Sequence, residues 1–366
     1  MSADITTDIA AYIRRYVVMP DPELTIVSTW ALHTWLFSPM CTPPQTTPYL
    51  YITAPKGSGK TLLGQDVLGT ITRQPMPTVG ITGASLVRLV GGAADDPDAV
   101  DSVPIMPTLM VDEVDALYSG SKDEGLRMML NAGYRLGGKV PRVVGKEVVN
   151  FSAFCPKILM GIDNGHLPDT VADRAIRIEL QQATPEQMLT VQPFFTFDVE
   201  DESAEMCEQM AAWAIAHSRA IRQHKPEAIP GLKPRAWEIA RTLVQVGHAI
   251  SPDTETAIRD ALADVLTRPT HAQGAKQALF SAIRDMFAED ATDRLASARI
   301  MQGLAERGIG VSGNTAKGLA NAITAEGDTP PKVINVRQPD GTILKARGFY
   351  RHQFDELFTR YLESES

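Results

Sequence analysis

The sequence predicts an α/β core followed by a helical region and a smaller C-terminal α+β module, and three observations carry that expectation. From Tyr49 onward, short apolar runs alternate with helical segments, the pattern of strands buried between helices. After Leu180 the strand-like runs stop and helical spacing takes over. Over about the last 75 residues, two helical segments precede two β-like runs. A chain of 366 residues exceeds what one compact core holds, so two or three domains are expected.

Composition narrows the class. Apolar residues make up 44% and charged residues 22%, the balance of a soluble globular protein. No run approaches the roughly 20 apolar residues that span a bilayer, so no membrane partner is expected. The opening MSADITTDIA is acidic and polar, unlike a secretory leader. Cys41, Cys155 and Cys207 form an odd set without CxxC spacing, which fits plain thiols in a reducing cytoplasm. No set of Cys, His and carboxylates has metal-ligand spacing. The net charge of −9 argues against wrapping nucleic acid over the whole surface, so any such contact must rest on local basic clusters.

Taken in order, Asp8–Met19 reads as a helix stopped by Pro20 and Pro22, and Glu23–Phe37 as a second, apolar one. Residues 1–46 form an N-terminal helical segment that packs on the core through Trp30 and Trp35. Pro39, Pro43, Pro44 and Pro48 make the stretch from Ser38 to Pro48 a loop. The core covers residues 47–182, with Tyr49–Thr53, Thr108–Val111 and Lys157–Ile162 as its clearest buried strands. Residues 183–290 form a helical lid, with helices at Asp201–His224, Lys233–Ile250 and Thr254–Leu266. Residues 291–366 carry helices at Leu295–Arg307, Thr315–Ala325 and His352–Leu362 and β-runs at Val333–Arg337 and Thr342–Arg347. That order is a winged-helix-like outline.

The first strand runs directly into Ala54-Pro55-Lys56-Gly57-Ser58-Gly59-Lys60-Thr61. Glycines let backbone N–H groups cradle phosphate oxygens, and the following helix aims its positive end at them. Gly57, Ser58 and Gly59 would hold the phosphates, Lys60 would pair with the outer ones, and Thr61 would hold Mg²⁺. Ala54 stands where the P-loop pattern has its first glycine, the least harmful replacement at a turn. A second motif, Pro107-Thr108-Leu109-Met110-Val111-Asp112-Glu113, is an apolar strand ending in two carboxylates. Asp112 would bind Mg²⁺ and Glu113 would polarise the attacking water. With nothing resembling a guanine-specific motif, ATP with Mg²⁺ is the expected pair of cofactors. In AAA+ ATPases a polar residue after the third strand orients the lytic water; Asn164 is the choice here, with Asp163 the alternative.

The segment His166-Leu167-Pro168-Asp169-Thr170-Val171-Ala172-Asp173-Arg174-Ala175-Ile176, together with Leu130–Tyr134, Lys233-Pro234-Arg235 and Gly348-Phe349-Tyr350-Arg351, resembles a family of phage and mobile-element helicases. Its members carry a C-terminal domain of unknown function and are sometimes fused to a primase–polymerase. The resemblance covers the chain from about Tyr16 to Leu362. It implies an α/β P-loop AAA+ ATPase core with a helical lid, assembled as a ring, a hexamer by expectation. It implies an arginine finger at Arg174, with Arg177 the competitor, and a lid arginine contacting the phosphates at Arg235.

Arg135, Lys139, Arg142 and Lys146 lie between the second and third strands with no acid among them. Gly137 and Gly138 would form a hairpin tip, with Lys139 and Arg142 facing a single DNA strand in a central pore. Lys345 and Arg347 form a second basic cluster in the C-terminal module. The expectation is therefore a DNA motor, a replicative helicase working beside a primase. An initiator or helicase loader and a non-motor ATP-switched assembly protein are its rivals, because motor output is not encoded in the phosphate loop.

Overall fold

In chain order the strands are β1 (Tyr49–Thr53), β2 (Pro75–Thr78), β3 (Thr108–Val111), β4 (Lys139–Val144), β5 (Glu147–Ser152), β6 (Lys157–Gly161) and β7 (Ala175–Glu179). All but β4 and β5 join one parallel sheet ordered β2-β3-β6-β1-β7. The computed structural model describes residues 4–55, 57–78, 83–91, 106–114, 124–162, 167–268, 271–327, 329–337 and 342–362. Every residue of β1, β3 and β6 is buried, as parallel strands covered on both faces require. The architecture is α/β, compatible with a P-loop core.

The chain divides into two compact units, Met1–Arg268 and Pro269–Ser366. In the first, the N-terminal helices Ile5–Arg14 and Asp21–His33 are pinned to the sheet region by tryptophans. Trp30 is fully buried and donates from Nε1 to the Pro48 carbonyl at 2.8 Å, and Trp35 donates to the Ile71 carbonyl at 3.0 Å. The first helix starts earlier than its periodicity suggested because Asp4 caps it, accepting from the Thr6 N–H.

Helices Glu200–Gln223, Pro234–Ile250 and Pro252–Thr267 share one apolar core with the sheet: Met210, Leu243 and Leu262 belong to the same cluster as Ile52 and Leu159. The span expected to form a lid is therefore divided. Helix His271–Glu289 packs Phe280, Ile283 and Phe287 into the core of the second unit.

One buried cation organises the base of the sheet. Lys157 opens β6 and is fully buried, and its Nζ donates to the carbonyls of Gly133, Ala153 and Cys155 at 3.2, 3.0 and 2.9 Å. It also sits 4.9 Å from the Tyr49 ring centroid. Burial pushes its pKa below the usual lysine value, while the three carbonyl oxygens compensate the lost hydration. Gly133 leaves the space for this arrangement: a Cβ there would lie 2.4 Å from both the Ala153 carbonyl oxygen and the Lys157 Nζ.

In the second unit, β8 (Arg294–Ala296), β9 (Lys332–Arg337) and β10 (Ile343–Tyr350) form an antiparallel sheet ordered β8-β10-β9. Helices Ser297–Glu306 and Ala316–Thr324 lie between β8 and β9 in the chain, and Phe349 and Phe354 fill the core beneath them.

Candidate functional site

The carboxyl end of β1 turns into the glycine loop. Gly57 and Gly59 adopt φ values of +83° and +80°, a left-handed backbone that glycine alone adopts without strain. A Cβ at either would meet nothing within 4 Å, so conformation and not crowding selects glycine there. Ala54 is buried and has no positive φ, so its replacement of a glycine costs the turn nothing. The helical turn begins at Lys60 and continues as a wider-wound segment, Leu62–Val67. Gly64 on that segment faces the sheet so closely that a Cβ would sit 2.3 Å from the Met160 sulfur on β6.

The second motif arrives two strands away. β6 separates β3 from β1, and Asp112 emerges at the carboxyl end of β3. Thr61 Oγ1 donates to Asp112 Oδ2 at 3.2 Å, and Gln65 Nε2 donates to the same oxygen at 3.3 Å. The other oxygen, Oδ1, accepts the Glu113 N–H at 2.8 Å. Glu113 is exposed and holds φ +54°, a strained backbone for a residue with a side chain, of the kind retained where an orientation matters. Ser58 Oγ is buried without a hydrogen-bond partner among the described residues. A hydroxyl and a carboxylate oxygen in direct contact are the oxygen donors that Mg²⁺ accepts alongside waters. Thr61 and Asp112 thus fit that ion, with Lys60 beside them. Asn164 and its alternative Asp163 lie outside the described residues.

The predicted arginines gather elsewhere. Arg174 precedes β7, its carbonyl accepting the Tyr49 N–H at 2.9 Å, so it sits at the amino end of the strands. β1 runs five residues from there to the glycine loop, roughly 16 Å at about 3.3 Å per residue. Tyr134, also at that end, carries three guanidiniums around its ring: Arg174 at 4.8 Å, Arg235 at 5.1 Å and Arg135 at 5.5 Å from the centroid. Arg235 donates to the Tyr134 hydroxyl at 2.5 Å and pairs with Glu238, which also takes Arg135. Thr46 fixes this helix to the loop before β1, donating to the Glu238 carbonyl at 2.9 Å and accepting from Thr242 at 2.8 Å. The structure therefore places Arg235 beside Arg174, away from the glycine loop of its own chain. Arg177 lies within β7 and pairs with Glu179 at 3.2 Å.

The basic stretch differs from its expected layout. The antiparallel pair β4–β5 turns at Gly145 and Lys146, with Gly145 at φ +61°, so the tip lies there and not at Gly137 and Gly138. Gly138 sits at the base, where a Cβ would lie 2.0 Å from the Ala132 carbonyl oxygen. Lys139 and Arg142 are three residues apart on one strand and so project from opposite faces. Val143 and Val148 pair across the strands near the tip, 72% and 66% exposed. Arg135 stays with Tyr134, off the hairpin. In the second unit, Lys345 and Arg347 share one exposed face of β10.

One grouping has no counterpart in the sequence spacing. A ring nitrogen from each of His224 and His248 and an oxygen of Glu255 lie within 4.8 Å of one another. Two helix boundaries bring them together, which residue spacing alone cannot show. Glu255 is also held by Arg259 at 2.8 Å, and that cation beside the group opposes a dication.

Among the described residues no helix is long and apolar enough to cross a membrane. No curated protein matches the chain at a significant level. Residues 181–361, just under half of the chain, match the family model DUF3631, described as a protein of unknown function, and the five-stranded sheet lies outside that match.

Proposed function

We propose that this chain is a Mg²⁺-dependent P-loop ATPase of the AAA+ type that works as a ring-forming motor on DNA. The observation that carries the reading is the meeting of Thr61 Oγ1 and Asp112 Oδ2 at 3.2 Å beside a loop whose two glycines are left-handed. In this reading Gly57, Ser58 and Gly59 present backbone N–H groups to the phosphates, and Lys60 neutralises the outer ones. Thr61 and Asp112 hold Mg²⁺, which supplies charge neutralisation at the phosphates. Glu113, aimed by its strained backbone, orients the attacking water.

The position of Arg174 supports a finger offered to the neighbouring subunit, because it lies at the far end of the strands from its own glycine loop. Arg235 shares the Tyr134 ring with it, so both guanidiniums would meet the same neighbouring nucleotide. Lys146 at the tip of the β4–β5 ribbon, with Lys139 from one face or Arg142 from the other, would contact a strand in the pore. The helix, strand, helix, helix, strand, strand order of the second unit supports a winged helix, with Lys345 and Arg347 as its phosphate contacts. A hexameric ring with a primase nearby in a phage or mobile element belongs to the same reading through the resemblance.

A second reading has one observation in its favour. Val143 and Val148 place an exposed apolar pair behind the ribbon tip, which suits a protein partner and would make the ATPase a helicase loader or remodeller. ATP turnover with and without single-stranded DNA separates the two, with Lys60→Ala as the blank. Turnover raised several-fold by DNA and lost in Lys139→Ala/Arg142→Ala supports the motor. Turnover indifferent to DNA refutes the motor, and absence of turnover refutes both.

A further inference from the structure

A cavity of about 630 Å³ opens between the loop before β1 and the helices Glu200–Gln223 and Pro234–Ile250. Four cations line it, Arg135, Arg222, Lys225 and Arg241, against the single carboxylate of Glu238. That carboxylate is already engaged by Arg135 and Arg235. Arg222 braces the loop through the Pro43 carbonyl at 2.5 Å. The side chains of Lys225 and Arg241 make no hydrogen bond or ion pair with any described residue, and the Arg241 Nε is buried without a partner. The chain has 44 acidic side chains and a net charge of −9, yet only one of them, Glu238, lines this concavity.

Unpaired cations gathered around one recess repel one another, and the buried Arg241 Nε has no acceptor there among the described residues. They persist where an anion completes them. Guanidinium forks match phosphate oxygens two at a time, and the Lys225 ammonium adds a mobile point charge. Trp237 lines the same wall and offers an aromatic face beside the charges. A volume of this size admits a nucleoside phosphate or a short length of strand. The cavity opens at Thr46, before β1, whereas the glycine loop follows Thr53, so the two lie at opposite ends of that strand.

We propose that this recess is a second phosphate-binding site, in which Arg222, Lys225 and Arg241 hold a phosphate group separately from the glycine loop. The phosphate comes either from a free polyphosphate or nucleotide or from the backbone of single-stranded nucleic acid. The assignment does not depend on the ATPase reading.

The test uses the full chain carrying Lys60→Ala, in EDTA, so that the glycine loop does not contribute. Tripolyphosphate is titrated by calorimetry and a fluorescein-labelled 20-nucleotide oligothymidine by anisotropy. The expected result is that at least one binds, and that adding Lys225→Gln/Arg241→Gln weakens it about ten-fold. The salt dependence of oligonucleotide binding should also flatten by roughly 1.4, since each single-strand phosphate contact contributes about 0.7. Weakening for both probes identifies a free-phosphate site, and weakening for the oligonucleotide alone identifies a strand site. Equal binding by the variant, or no binding of either probe by the parent, overturns the proposal. A measurement without these two substitutions guards against misfolding. Acetylation of Lys225, read by mass spectrometry, should fall several-fold with the bound probe, and unchanged labelling is equally fatal.

Discussion

Gly133→Ala places a methyl group where the Ala153 carbonyl oxygen, the Lys157 Nζ and the Met129 carbonyl oxygen would lie 2.4, 2.4 and 2.7 Å away. Two of the three are backbone atoms and cannot rotate aside. Overpacking of a tight site costs about 1–3 kcal/mol. Displacing the ammonium also weakens its bonds to Gly133 and Ala153, about 1 kcal/mol each. The expected loss is about 3–5 kcal/mol, which for a unit of this size lowers Tm by roughly 5–10 °C. Trp30, Trp35, Trp213 and Trp237 all lie in the first unit, so urea unfolding followed by tryptophan fluorescence reports on it alone. Gly69→Ala is the control: it lies in helix Leu68–Ile71 with nothing within 4 Å of an added Cβ. That change should stabilise by about 0.5–1 kcal/mol, the helix preference of alanine over glycine. If Gly133→Ala unfolds within about 1 kcal/mol of the parent, the packing around Lys157 is not as described, nor is the seat of the neighbouring arginine cluster.

Tyr134→Phe keeps the ring under the three guanidiniums and should cost about 1 kcal/mol in urea unfolding, whereas Tyr134→Ala should cost about 3–4 kcal/mol; equal losses would refute a cluster built on the ring. Glu113→Gln should retain nucleotide binding, measured by calorimetry, while losing about 10²-fold or more in turnover, and Lys60→Ala should lose binding itself. His33 is fully buried, with one ring nitrogen 2.6 Å from the Trp30 carbonyl and the other 2.9 Å from Thr47 Oγ1, and burial pushes its pKa down to about 4. The unfolded chain, titrating near 6.5, then binds the proton that the fold refuses, so stability falls as pH drops from about 6.5 toward 4. Between pH 7.5 and 4.5 this group should account for about 2–3 kcal/mol, and His33→Gln should flatten the stability–pH curve by that amount.

The strands, and the residues that leave them, were legible because their determinants are local. The run Tyr-Leu-Tyr-Ile at 49–52, closed by Thr53, reads as a strand buried on both faces, and Gly57 and Gly59 are needed for their own φ angles, whatever lies nearby. The helices between Glu200 and Thr267 follow from periodicity for the same reason, and each begins within two residues of where that periodicity starts. What periodicity lacks is the partner of an apolar face. It could not show that these helices share the core of the sheet while His271–Glu289 serves the second unit. Nor could it place the hairpin tip, because Gly137-Gly138 and Gly145-Lys146 are both turn sequences and only the Lys139–Ser152 register chooses between them.

By itself the sequence determined where the backbone must turn, which runs must be buried, and that a hydroxyl at position 61 follows the glycine loop after one such run while carboxylates at 112 and 113 end another. Only the tertiary structure decided that Arg135, Arg174 and Arg235 meet on Tyr134, and that Arg222, Lys225 and Arg241 face one recess. The reason is range: a φ angle or an apolar run is set by neighbours in the chain. A convergence of charges drawn from positions 135 to 241 is set by how whole helices pack, and spacing along the chain carries no record of it.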